Sequence, residues 1–259
     1  MPKIQLTKEE LLYLSALKGV DNLWGVEDPF RGMSEDIIKS ELLELQDSLI
    51  RKSCLDAAVD GRFSVASHYS NLINACMQST RVYILSSSQF EEEQTALRYF
   101  VSDDSIVRYQ FREYASIEFV SRSLMNAEIA DFFGENYNNQ EDSCSLITGI
   151  ARLKRMGSLS KQRFLQELKA CGCEDSLAIL ISDGLQGNPD FRSLLAYERT
   201  ENSEMLCGKL VTISFAGGSL MVTPEGKNID SVCFTKLNRD RLLSALGVII
   251  DGREEINII

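Results

Sequence analysis

The residues that most often perform acid–base or nucleophilic chemistry are scarce in this chain of 259 residues. It contains one histidine, His68, so any serine or cysteine nucleophile that needs an imidazole base depends on that residue. His68 lies at the edge of an apolar helical stripe formed by Val65, Tyr69 and Leu72, which favours a partly exposed structural histidine. No catalytic constellation is evident, and we predict that the protein is not an enzyme.

Metal and phosphate sites are likewise not predicted. Cys171 and Cys173 are the only close pair among the seven cysteines, and one pair cannot supply the four ligands of a structural zinc site. Free cysteine usually behaves as a small apolar residue, so we expect reduced, mostly buried thiols and no cofactor. Gly217-Gly218 lacks the following helix and Lys-Ser/Thr of a P-loop, which favours a hairpin turn.

The charge balance disfavours polyanionic partners. The chain has 27 basic and 38 acidic residues, a net charge of −11, whereas nucleic acids and anionic lipid surfaces attract basic faces. No apolar segment approaches the ~20 residues of a membrane-spanning helix. The N-terminal residues lack the apolar core of a signal peptide. We expect a cytoplasmic protein that neither binds nucleic acid nor inserts into a membrane.

One segment departs from this acidic background, because basic residues flank Gly157 on both sides. Solvated helix ends are the favoured interpretation of this segment, and an acidic partner is the alternative. The basic residues are Arg152, Lys154, Arg155, Lys161 and Arg163.

Apolar spacing predicts a similar order of elements in both halves: helices, then a strand meander, then an Asn-capped helix. In the first half, Thr7 and Glu10 form a capping box, Ser34 opens a second helix, and Asn126 caps the helix that follows the strands. The predicted helices cover 8–18, 35–49 and 65–77, and the strands 82–85, 96–101, 107–111 and 117–119.

In the second half, the same spacing predicts helices over 146–154, 161–171, 175–183 and 191–197. Strands follow near 211–215, 220–222 and 232–234, and Asn238 caps a last helix. Leu6-Thr7-Lys8 also resembles Leu159-Ser160-Lys161. The predicted fold class is α+β, with a central, mostly antiparallel sheet, two flanking helical subdomains and a quasi-two-fold internal repeat. The predicted halves are 1–136 and 137–259, integrated into one domain.

Several segments together resemble the EspG-like proteins of type VII (ESX) secretion systems. They are the Leu-Thr-x-x-Glu-Leu start at residues 6–11, Ile50-Arg51-Lys52-Ser53-Cys54-Leu55 running into Asp60-Gly61-Arg62-Phe63, and the strand pair at 210–213 and 218–222 before a leucine-rich helix. The resemblance spans nearly the whole chain in the order of its elements. It implies a cytoplasmic chaperone that masks the apolar tip of a helical secreted protein, with no covalent chemistry.

The resemblance also directs attention to apolar residues at strand ends and in the C-terminal half. We predict that the partner contacts Phe90, Phe191, Met205 and Leu206. A homodimer is kept as an alternative assembly.

Other function classes stay open at this point. Segment 49–65 has the helix–turn–helix order of a winged-helix adaptor, although 65–77 carries no Lys or Arg that could approach phosphate. An enzyme that uses a carboxylate pair, an unassigned scaffold and an immunity-type binder are the remaining alternatives. Two close carboxylates in a deep pocket would favour the enzyme.

Overall fold

The computed structural model describes residues 4–19, 28, 30–57, 62–88, 97–111, 115–134, 144–187, 189–200, 203–225 and 228–252. These residues form eight helices and twelve strands, and the strand pairs whose register is described are all antiparallel, which confirms the α+β class. The elements up to residue 134 are β1 (Ile4–Leu6), α1 (Lys8–Leu17), α2 (Glu35–Arg51), β2 (Leu55–Ala57), β3 (Phe63–Val65), α3 (Ser67–Met77), β4 (Arg81–Ser87), β5 (Leu97–Val101), β6 (Ile106–Phe111), β7 (Ala115–Phe119) and α4 (Arg122–Phe132). From residue 144 they are β8 (Ser145–Gly149), α5 (Ile150–Met156), α6 (Lys161–Ala170), α7 (Asp175–Gln186), β9 (Asp190–Thr200), β10 (Ser203–Phe215), β11 (Gly218–Glu225), β12 (Asn228–Lys236) and α8 (Arg239–Asp251).

The element order repeats. Within the described residues, each half has one strand, three helices, four strands and a last helix, and the first half adds the β2–β3 hairpin between its second and third helices. In both halves the first strand pairs antiparallel with the last of the four: Ile4 faces Ile117, and Gly149 faces Ser231. The predicted internal repeat is therefore present. Because α1 corresponds to α5 in this order, the matched caps Thr7 and Ser160 open helices at different positions of the repeat.

The chain divides into two compact units. The first contains Met1–Val82 and Gln94–Met125, and the second contains Tyr83–Glu93 and Asn126–Ile259. The division predicted at residues 136 and 137 stays a prediction.

Within the first unit, four strands form an antiparallel sheet in the order β1-β7-β6-β5. Helix α3 packs on β5, β6 and β7 and buries Leu72 and Ile73. The capping box of Thr7 and Glu10 is present at the start of α1, as predicted.

In the second unit, the strand order is β4-β9-β10-β11-β12-β8. The sheet face that carries Ile213, Leu220 and Phe234 forms the core with α5, α6 and α7. The opposite face carries Leu194 and Leu210, directly paired and fully buried. The hydroxyl of Ser182 in α7 is buried without a hydrogen-bond partner in the described part of the chain.

In the second half, the helix predicted over 191–197 is wrong, and the helix predicted over 146–154 is wrong in part. Residues 191–197 belong to β9, because burial alternates at Leu194 and Ala196 and the backbone pairs with β10. Residues 145–149 form β8, where Leu146 faces the core and Ile147 faces outward, so the helix begins only at Ile150. Short apolar runs fit either period, and in both cases the neighbouring strand decides the structure.

Two helices of the first half begin at other residues than predicted. Asn126 lies inside α4, and the Ser121 hydroxyl accepts a hydrogen bond from the Leu124 N–H at 3.2 Å, one turn earlier. The helix predicted over 65–77 begins at Ser67, because Val65 pairs with Leu55 in the β2–β3 hairpin. The turn predicted at residues 60–61 lies outside the described residues. The Asn238 cap is confirmed by a 2.8 Å hydrogen bond from the Arg241 N–H.

Candidate partner-binding surface

The part of β10 that pairs with β9 is longer than the part that pairs with β11. Its register runs from Ser203 opposite Thr200 to Ser214 opposite Asp190, whereas β11 pairs only with Val211–Phe215 of β10. Among the described residues, 203–210 therefore have no strand partner on the β11 side. We call residues 195–200 and 203–209 the β9–β10 arm.

Two of the predicted contact residues lie on this arm. Met205 is 57% exposed and faces Glu198, and Leu206 is 43% exposed and faces Tyr197. Successive strand residues point to opposite faces, so the arm presents one apolar side chain on each face. A contiguous exposed apolar patch marks a protein-binding surface, and these two exposed side chains make the arm a candidate for part of such a surface.

A register shift between Leu206 and Gly208 leaves Cys207 as the extra residue of a β-bulge. A side chain at Gly208 would be tightly placed, because a Cβ atom would lie 3.0 Å from Cγ2 of Ile249 in α8. The strand therefore passes close to α8 where the arm leaves the sheet. A bulge also increases strand twist, so it sets the direction in which Met205 and Leu206 point.

Phe191 lies at the other end of the same hairpin, opposite Ile213, and is 37% exposed. Seven residues of β9 separate it from Glu198, the partner of Met205, which places the two positions about 23 Å apart at the usual strand rise. The structure therefore does not bring Phe191 together with Met205 and Leu206. Phe90 lies outside the described residues.

The backbone at Phe191 is held by hydrogen bonds to β4 and its end. The Ser88 N–H donates to the Phe191 carbonyl at 2.8 Å, and the Phe191 N–H donates to Ser88 Oγ at 2.9 Å. Asp190 accepts from the Ser87 hydroxyl and from Nε of Arg192. Phe191 is thus a partly exposed aromatic side chain on a backbone that is hydrogen-bonded to its neighbours.

The α6–α7 pair presents a second candidate surface, which was not predicted from the sequence. Lys161 contacts Asp183 at 2.7 Å, and Lys169 contacts Asp175 at 2.9 Å, so the two helices run antiparallel. Leu165 lies midway between Lys161 and Lys169 on α6, with four-residue spacing. Ile179 lies midway between Asp175 and Asp183 on α7 with the same spacing. We call this set of six residues the α6–α7 patch.

Ile179 is 48% exposed, and Leu165 is half-buried against the core. The patch therefore has an apolar centre between two ion pairs. The matched spacings Lys-Leu-Lys and Asp-Ile-Asp are visible in the sequence, but only the helix pairing brings them together.

The described residues contain no group of three His, Cys, Asp or Glu side chains that could hold a metal ion. Burial, reinforced by Cys171, Glu174 and Asp175, raises the pKa of Cys173 to about 11, which makes a thiolate scarce at neutral pH. His68 is half-buried, and its ring packs edge-on against Tyr69.

No helix in the described ranges is long and apolar enough to cross a membrane. No family model matches the sequence, and a search of curated proteins finds no match.

A solved structure, by contrast, shares the fold over almost its full length. It is EspG5, a type VII secretion system chaperone of Mycobacterium tuberculosis, in complex with the PE25-PPE41 dimer. The match covers 98% of each chain with a TM-score of 0.65 and 9% sequence identity. At this identity the likeness shows the fold alone, and the chain has an EspG-like fold.

Proposed function

We propose that this protein is a cytoplasmic chaperone of a type VII-like secretion system, which binds and masks the apolar tip of a helical secreted protein. The full-length fold likeness to a chaperone solved with a bound PE25-PPE41 dimer supports this proposal most directly. Masking requires only a complementary surface, so the proposal involves no covalent step.

The β9–β10 arm supplies the main proposed contacts. Covering an exposed Leu or Met side chain removes apolar surface from water, which stabilises a complex by about 1–2 kcal/mol for each residue. Met205 and Leu206 are adjacent and on opposite faces of the arm, so an occupant that contacts both must wrap around its edge. The α6–α7 patch, Phe191 and Phe90 are proposed as further contacts.

The test is co-expression with the helical secreted proteins encoded beside this gene, followed by affinity capture. Charge introduced at the arm, as Met205→Asp with Leu206→Asp, is expected to reduce recovery of the secreted partner at least about tenfold. The matched control is Met33→Asp with Leu43→Asp, because both side chains are well exposed and lie in the other compact unit.

Equal recovery with the arm variant and the wild-type protein would remove the arm from the proposal. The single variants Phe191→Asp and Ile179→Asp then test the other contacts separately. Failure to recover any helical secreted protein with the wild-type chain would overturn the function itself.

A further inference from the structure

The segment from α5 through α6 is strongly basic in an acidic protein. Residues 150–170 contain six basic side chains and one acidic side chain, Glu167, whereas the whole chain has a net charge of −11. The basic residues of this segment are Arg152, Lys154, Arg155, Lys161, Arg163 and Lys169.

Only some of these charges are balanced. Lys161 and Lys169 contact aspartates of α7, as described above. Arg152 lies 3.6 Å from Glu167, a long contact between two exposed side chains. In the described part of the chain, no ion pair involves Arg155 or Arg163.

Glu167 is the one acidic residue of this segment, and of the three arginines Arg152 alone contacts it among the described residues. Arg163 precedes Glu167 by one turn of α6, and Arg155 follows Arg152 by three residues on the same side of α5. The planar guanidinium binds carboxylates through two parallel hydrogen bonds, which a lysine cannot do. We call Arg152, Arg155 and Arg163 the arginine surface.

We propose that the arginine surface binds an acidic segment of a partner protein, at a site separate from the β9–β10 arm. The dimensions favour a short peptide over a polyanion. By the usual rise, α5 and α6 are about 10 and 15 Å long, so a nucleic-acid duplex or a membrane would extend onto the remaining, net negative chain. Half-buried Leu153 and Leu165 on the same two helices suit a segment that mixes acidic and apolar residues.

A first experiment measures binding of a fluorescent peptide of mixed Glu and Leu residues to the full chain by anisotropy. The variant Arg152→Glu/Arg155→Glu/Arg163→Glu is expected to weaken binding at least about tenfold, the sum of three modest ion pairs. The control Arg31→Glu/Arg51→Glu/Arg239→Glu changes the net charge equally at exposed positions and should keep wild-type affinity.

Equal binding by the wild-type protein and the arginine variant would overturn the proposal. A second result would also overturn it: the wild-type protein binds a DNA duplex, or vesicles containing phosphatidylserine, more tightly than the peptide, and the arginine variant loses that binding.

A second experiment places a photo-crosslinking amino acid at exposed Gln166 and, separately, at Met205 in the producing cells. We expect the Gln166 cross-link to fall on a peptide rich in Asp and Glu, and the Met205 cross-link on the helical secreted protein. An apolar or neutral peptide at Gln166 would overturn the arginine surface while leaving the chaperone proposal intact. A cross-link that fails at Met205 alone would remove the β9–β10 arm from the proposed contacts while leaving the arginine surface intact.

Discussion

Glu10 and Lys52 form a two-pronged ion pair within the first compact unit: Nζ of Lys52 lies 2.8 and 2.7 Å from the two carboxylate oxygens of Glu10. The carboxylate also accepts from the Ser48 hydroxyl and from the Thr7 N–H. Glu10 is 1% exposed, so these partners replace the water that its charge has lost. One carboxylate thus joins the start of α1 to the end of α2.

Replacing the cation should destabilise this unit. Lys52→Met leaves the buried carboxylate of Glu10 without its counter-ion, and we expect the free energy of unfolding to fall by about 2–3 kcal/mol. Chemical denaturation measures this loss. The double variant Glu10→Gln/Lys52→Met should recover part of the lost free energy of unfolding. A loss in the double variant that exceeds the sum of the two single-variant losses would contradict the pairing.

The same carboxylate predicts a dependence of stability on pH. Burial alone would raise the pKa of Glu10, but hydrogen bonds from Lys52, Ser48 and Thr7 outweigh it and lower the pKa below its ordinary value. A carboxyl group with a lowered pKa stabilises the folded state above its unfolded pKa of about 4.3, and this contribution is lost as pH falls. The stability difference between the wild-type protein and Glu10→Gln should therefore narrow below about pH 4.3. A difference that stays constant from neutral to acidic pH would contradict the lowered pKa.

Gly184 should not tolerate a side chain. A Cβ atom there would lie 2.9 Å from Cε1 of Phe215 and 3.4 Å from Cδ1 of Leu220, where α7 meets the sheet. Gly184→Ala is expected to cost about 1–3 kcal/mol of unfolding free energy. Gly157→Ala is the control, because its Cβ meets nothing closer than 3.6 Å and its φ is −60°. Equal effects of the two variants would contradict this packing.

The cysteines should differ in reactivity according to burial. Cys207 is exposed on the arm, whereas Cys76 is buried and burial raises its pKa. Alkylation of the native protein at pH 8, followed by peptide mass spectrometry, should modify Cys207 first and Cys76 last. Cys171→Ser with Cys173→Ser should leave partner recovery unchanged, because Cys173 packs in the core and the Cys171 thiol donates a hydrogen bond to the Glu167 carbonyl of its own helix. A loss of recovery in a folded variant would assign them a role in binding.

Local sequence signals correctly predicted those helices in which a capping residue directly precedes an apolar stripe of helical period. The Thr7–Glu10 box and the Asn238 cap lie where predicted, because each depends on residues within one helical turn. The misassigned segments, 145–149 and 191–197, contain apolar runs that suit a helix or a strand equally. Their strand structure comes from pairing with β12 and β10, which local sequence does not reveal.

The candidate surface was predictable to a similar extent. Met205 and Leu206 are exposed apolar residues, and their adjacency in sequence keeps them together on the arm. Phe191 was grouped with them, yet the extended strand separates it from them along the hairpin. The α6–α7 patch was missed because its two halves come from different helices that only tertiary packing aligns.

The pairing of each half's first strand with its last strand also constrains synthesis of the chain. Ile4 emerges from the ribosome long before its partner Ile117, by roughly 10 s at ordinary elongation rates. The β1 segment must therefore wait, unpaired, until β7 arrives, and the β8 segment waits similarly for β12. In each half, the strand that is synthesised first is therefore the last to find its partner. A nascent chain that halts midway leaves an unpaired edge on β5, β6 or β11, and such an edge can aggregate or bind ribosome-associated factors.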